Sequence, residues 1–148
     1  MSEQEFTTQE ICEHAQGNAA ALLLATIAYF NEQGGDATAW MADVGKRFAL
    51  AWETSKQMGA RGAIEGIALN VVAFGGKLHH LEGDIAGAKA IFTDWPITED
   101  LHYFGITLAD ADAFWTIFHT IADHLNLHYQ WQREGDQVTI SLTNEEVK

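Results

Sequence analysis

The sequence predicts an α+β domain, with N-terminal helices packed on a small antiparallel sheet, a late helix and a C-terminal β-hairpin. Three observations predict it. The N-terminal half carries apolar side chains at spacings of three and four, the period of an amphipathic helix. Residues from His128 to Thr143 alternate apolar and polar around the turn Glu134-Gly135-Asp136-Gln137. A second turn signal, Gly83-Asp84, divides another β-rich stretch ahead of the only proline, Pro96. An isolated hairpin is marginal, so two hairpins predict one sheet of about four strands.

The first helix begins at Thr7-x-x-Glu10, a capping box, runs to about Glu32 and stops at Gly34-Gly35. Ile11, Ala15, Asn18, Leu22, Ala25, Thr26 and Tyr29 share one face and are expected to form its apolar stripe, with Asn18 a satisfied core amide or a ligand contact. Leu23, Ile27 and Phe30 make the second half apolar nearly all round. Such a helix is central in a domain or part of a subunit interface. Asp36 or Thr38 caps a second helix ending near Met58, with Trp40, Val44, Phe48, Ala51 and Trp52 as its apolar face. A third, Ala60 to Phe74, places Ile64, Ile67, Val71 and Phe74 inward and ends at Gly75-Gly76. Its apolar run ALNVVAF also fits a buried strand.

Lys77 to Trp95 reads as two strands around Gly83-Asp84, with a short helix over Ile85–Phe92 as the rival. Pro96 ends either one, and Ile97 to Gly105 is expected to be loop or a short irregular element. Leu108 to Leu127 is the clearest helix, with Asp110 or Asp112 at its positive end and Phe114, Phe118, Ile121 and Leu125 as its core stripe. The whole chain, 1–148, is expected to form one domain, with 1–6 and 144–148 frayed.

Twenty-one acidic and eight basic side chains give a net charge of −13. That excludes the positive surface that nucleic acid or an anionic membrane requires, and favours neutral or cationic ligands. The apolar run Ala19–Phe30 is well short of the ~20 residues that span a bilayer. With one cysteine, Cys12, no internal disulfide or cysteine-based zinc site can form, and a reducing cytoplasm is the expected compartment. The polar, acidic start MSEQEFTTQE does not read as a signal peptide.

No serine elbow, phosphate loop or dinucleotide fingerprint occurs, and no motif names a cofactor. His79-His80 with Glu82 and Asp84 offers metal ligands, but on a regular strand the two histidines face opposite ways, so no metal site is expected. His119 and His124 lie about 140° apart around a helix and cannot share an ion from it. His119, one turn beyond Trp115, sits where an imidazole can act as acid or base beside a pocket. Cys12 precedes Glu13 and His14 near a helix start, where thiolate is favoured, but adjacent helical residues do not face one another. Asp94-Trp95-Pro96 and His102-Tyr103-Phe104 flank the least regular connection, and loops carry function. Trp95, Tyr103, Trp115 and His119 are therefore the candidate ligand-binding residues, and His119, Asp94 and His102 the candidate catalytic ones.

Across Val44 to Thr143 the order of elements resembles a known group. A glycine-studded helix (SKQMGARGAIEGIALNVV), a strand closed by proline (AKAIFTDWP), a helix and a terminal hairpin (LHYQWQREGDQVTISL) are similar to the 4-vinyl reductase small-molecule-binding domain and the related L-2-amino-thiazoline-4-carboxylic acid hydrolase-like proteins. Where those relatives often carry cysteines, near the proline and in the last strands, this chain has Trp95 and apolar residues, so no cysteine chemistry is implied. The resemblance implies a hydrophobic pocket between helices and sheet, and a homodimer. The expected function is therefore a cytoplasmic small-molecule-binding domain holding an apolar or aromatic ligand. The alternatives are a small-molecule hydrolase, lyase or isomerase using His119, or an interaction subunit using helix 8–32.

Overall fold

A computed structural model describes residues 5–145. Helix α1 spans Thr8–Glu32. Its capping box closes in both directions: the Thr7 amide donates to Glu10 Oε2 at 2.7 Å, and the Glu10 amide donates to Thr7 Oγ1 at 3.1 Å. The stripe expected to be core does not face it. Ala20, Leu23, Leu24 and Ile27 are buried, whereas Ile11, Ala15, Asn18, Leu22 and Tyr29 are exposed. An all-round apolar helix offers two faces, and the domain uses the one opposite to that expected.

Helix α2 spans Ala37–Phe48 and is capped by Asp36, whose Oδ1 accepts from the Ala39 amide at 3.1 Å. It does not continue to Met58. Residues Ala49–Met58 wind as a 3-10 segment. In this stretch the side chains that turn inward, Ala49, Trp52 and Ser55, recur every three residues, the 3-10 period. The inward face of α2 is Ala37, Met41 and Gly45; Phe48 and Ala51, expected inward, are exposed. Helix α3, Gly59–Ala73, buries Ile64, Ile67 and Val71 as expected.

Strands β1 (Lys77–Gly83) and β2 (Gly87–Thr93) form the first hairpin, and the helical alternative for this stretch falls away. Asp84 closes its turn by accepting from the amides of Ala86 and Gly87. A bulge between Leu78 and His80 alters the expected alternation. His79 bonds Thr93 Oγ1 at 2.6 Å and His80 is paired with Ile91, so both histidines lie on the outer face, two residues against one.

The stretch expected to be irregular holds α4, Thr98–Phe104. Glu99 and Asp100 in its first turn and Gly105 in the left-handed conformation after its last are ordinary start and stop signals. The expected long helix is divided into α5 (Leu108–Ala111), a 3-10 turn over Asp112–Trp115, and α6 (Thr116–His124). It stops before Leu127, with Asn126 at φ 58°. Its core stripe holds: Phe114, Phe118, Ile121 and Leu125 are all buried.

Strands β3 (Leu127–Glu134) and β4 (Gln137–Asn144) make the terminal hairpin, with Trp131 opposite Ile140. The four strands form one antiparallel sheet in the order β1-β2-β4-β3. Helices α3 and α6 lie on one face of it, and α2 packs on α6. Asn144 and Glu145, expected to belong to a frayed end, are hydrogen-bonded to the rest of the chain. The Asn144 amide donates to Ala86 and the Glu145 amide to Asn126. Residues 1–4 and 146–148 lie outside the described residues. No described helix is long and apolar enough to cross a membrane.

Candidate functional site

Of the residues singled out in the sequence, Trp95 and Trp115 share one core cluster, and Asp94, His102, Tyr103 and His119 lie outside it. Trp95 and Trp115 are fully buried. Their rings join Phe74, Phe92, Phe114 and Phe118 in a chain of contacts with centroids 5.0–6.4 Å apart. These side chains pack on one another between the helices and the sheet. Tyr103 is 82% exposed on α4, and His102 beside it is also exposed.

His119 stands on the solvent side of α6. It borders a polar hollow of about 550 Å³ that wraps over edge strand β3, with Tyr129, Gln130, Trp131, Gln132, Thr139 and Ser141. Its nearest carboxylate is Asp123 Oδ2 at 3.7 Å, on the next turn and beyond hydrogen-bond reach. Neither Asp94 nor His102 borders this hollow. The Tyr129 hydroxyl donates to the Trp115 carbonyl at 2.9 Å, and burial pushes its ionisation well above the usual 10.0, so it stays neutral.

Asp94 opens a different cavity. Gly75, then Asp94, Pro96 and Ile97 of the loop after β2, Thr98, Glu99 and Leu101 of α4, Leu108 of α5, and Arg133, Gly135 and Asp136 of the terminal hairpin surround a cleft of about 700 Å³. Asp94 holds φ 61°, a left-handed conformation that aspartate tolerates better than most side chains, and the Trp95–Pro96 bond is cis. Pro96, Ile97, Leu101 and Leu108 supply apolar wall, and Asp94, Glu99 and Asp136 supply three carboxylates.

Arg133 is the one cation of that wall, and it is already committed. Its Nη2 lies 2.6 Å from Asp112 Oδ1, its Nε donates to both Asp112 oxygens at 3.0 and 3.1 Å, and Nη2 also donates to the Trp95 carbonyl at 3.3 Å. Asp112 further accepts from Trp115 Nε1 at 3.1 Å. The pair is largely buried, with side chains 13% and 15% exposed. It ties the turn before α6 to the end of β3 and to the loop after β2 that leads into the cleft. Trp95 Nε1 is the one buried side-chain polar atom among the described residues without a partner.

The sequence pointed to Asp112 only as a helix-start residue and not to Arg133 or their pairing, although a signal exists. Leu127, Tyr129, Trp131 and Arg133 occupy the same face of β3. A cation that continues an inward apolar series must find a carboxylate. Which carboxylate follows only from the fold, because Asp112 is 21 residues away.

His124 pairs with Glu53 Oε1 at 2.6 Å, which, with Lys56, holds the Glu53 carboxyl below its usual 4.5. No group of three His, Cys, Asp or Glu among the described residues is arranged to hold a metal ion. Cys12 is free and exposed.

The fold and cleft define an α+β domain with an open, mostly apolar cavity rimmed by carboxylates. Comparison with protein-family models and with curated proteins finds no match to the chain.

Proposed function

We propose that this chain is a cytoplasmic small-molecule-binding domain, working as a homodimer, whose ligand is a largely apolar organic molecule carrying a positive charge. The cleft beside Pro96 is the observation that carries this reading. Its volume of about 700 Å³ falls within the range of small-molecule sites, and apolar walls with a few polar groups are what such sites use. Three carboxylates stand at its border, while its only arginine is neutralised by Asp112, so the local field favours a cation. The chain's charge of −13 acts in the same direction. The order of elements resembling the 4-vinyl reductase small-molecule-binding group supports the class, and the free cysteine fits a reducing compartment.

An enzyme built on His119, Asp94 and His102 has less support. His119 and Asp94 border separate cavities, and His102 borders neither.

The test is a thermal-shift and fluorescence titration with arylalkyl amines and their matched carboxylic acids. Amines are expected to raise the melting temperature and the acids not to. Asp94→Asn, which keeps the left-handed backbone accessible, combined with Glu99→Gln, should weaken amine binding about tenfold or more, the loss of roughly one charge-assisted contact. No response to any amine, or a response that these substitutions leave intact, sinks the reading.

A further inference from the structure

Along α1 the residues Ile11, Ala15, Asn18, Leu22, Ala25 and Tyr29 follow alternating spacings of four and three. That is the seam pattern of a helix that pairs with another helix, because a period of 3.5 keeps those side chains on one line. Here the seam faces solvent. Leu22 is 72% exposed, Tyr29 60% and Ile11 57%, and Phe6, just ahead of the helix, 65%. Phe6, Glu10, Ile11, His14, Ala15 and Asn18 border a shallow concavity of about 570 Å³ on the same side. The domain core is served by the opposite face, through Ala20, Leu23, Leu24 and Ile27.

We propose that a second copy of this chain covers the seam, the two α1 helices packing antiparallel about a two-fold axis near Asn18. This identifies the interface of the homodimer proposed above, and rests on that reading. Three observations select the second copy and its orientation.

The first is charge. Between Ala15 and Asn31 the helix carries no charged side chain; its acids are Glu10, Glu13 and Glu32. Two chains of net charge −13 repel over most of their surface, and this stretch lets them meet without opposing carboxylates. Antiparallel packing lays the Glu10–Glu13 end of each helix against the uncharged half of its partner. Parallel packing would set each glutamate beside its own copy.

The second is area. A whole aromatic side chain offers about 150–250 Å². Phe6, Ile11, Leu22 and Tyr29 at their observed exposures thus present on the order of 500 Å² per protomer, and two copies bury about 1,000 Å², where specific interfaces begin.

The third is Asn18. It is exposed on an otherwise apolar seam. A two-fold axis beside it brings its amide to the partner's amide, which satisfies both, and a seam asparagine sets register.

The test measures the mass of the full chain by light scattering and sedimentation. At about 100 μM the native chain should weigh twice its 16.3 kDa. Ile11→Glu with Leu22→Glu should give a monomer with an unchanged far-UV circular dichroism spectrum, since both side chains are already in solvent. Leu50→Glu, an equally exposed apolar site on another element, should remain dimeric. A monomeric native chain overturns both the dimer and the interface. A dimer that survives the double substitution keeps the dimer and overturns this interface. Cys12 reports orientation: antiparallel packing holds the two copies ~18 Å apart along the helices, too far for a disulfide. Ready Cys12–Cys12 cross-linking under mild oxidation would overturn the antiparallel arrangement.

Discussion

Asp112 and Arg133 are the residues on which the site's shape depends most directly. Each is largely buried, and each satisfies the other's charge. Replacing Asp112 by Ala leaves the guanidinium buried and removes the acceptor of the Trp115 indole. Removing one member of a buried pair costs about 3–5 kcal/mol, so Asp112→Ala should lower stability by about 3 kcal/mol in urea denaturation. Replacing both residues by Leu should recover much of that loss, because no uncompensated charge remains. A single substitution as mild as a surface change, under about 0.5 kcal/mol, would show that the pair is not buried as described. His119 teaches the converse at this scale. Its position next to Trp115 on the helix was legible, but its half-turn outward, away from any acid within bonding distance, was not.

At the scale of elements, helices α2 and α6 cross closely at Gly45. A Cβ at Gly45 would meet the Ile117 carbonyl and the Thr120 hydroxyl. Helix propensity alone favours Gly45→Ala by about 1 kcal/mol. Overpacking against backbone costs about 1–3 kcal/mol and must separate the helices. The overlap is with main chain, which cannot turn aside, so a net loss of stability is expected, read as a lower melting temperature. A stabilised variant would mean the helices part freely. Local signals served well where they were strong: the Thr7 box, the Asp36 cap and both hairpin turns stand where the sequence placed them. They were weaker where winding changes. Asp112 and Trp115, three apart, eclipse one another in the 3-10 turn that holds them, and Asp112 also reaches Arg133. No local pattern carries that contact.

For the molecule as a whole, one aromatic cluster joins helices to sheet. Phe114 touches the rings of Phe74, Trp95, Trp115 and Phe118 at centroid distances of 5.0–5.4 Å. Truncating a buried Phe costs about 3–5 kcal/mol. Against a total of roughly 5–15 kcal/mol, Phe114→Ala should leave the domain marginal, with a melting transition that is much lower or lost. A fall of only a few degrees would show that the cluster relaxes around the gap. The same cluster places Trp95, Trp115, Phe114 and Phe118 in the core: these aromatic residues are one another's partners. The cleft of the proposed site lies at the rim, where four separated stretches of chain converge beside Pro96.

By itself the sequence determined the α+β class, the terminal hairpin, the core stripe of the late helical stretch and the helical N-terminal half, because these follow from periodicity and turn chemistry acting within a few residues; for the first hairpin it left a short helix as the rival. Tertiary structure decided which face of α1 is buried, which of the aromatics are core, and which carboxylate receives Arg133. Those outcomes depend on contacts between residues far apart in the chain. An apolar helix face is the same to the local sequence whether the rest of the domain covers it or leaves it to solvent.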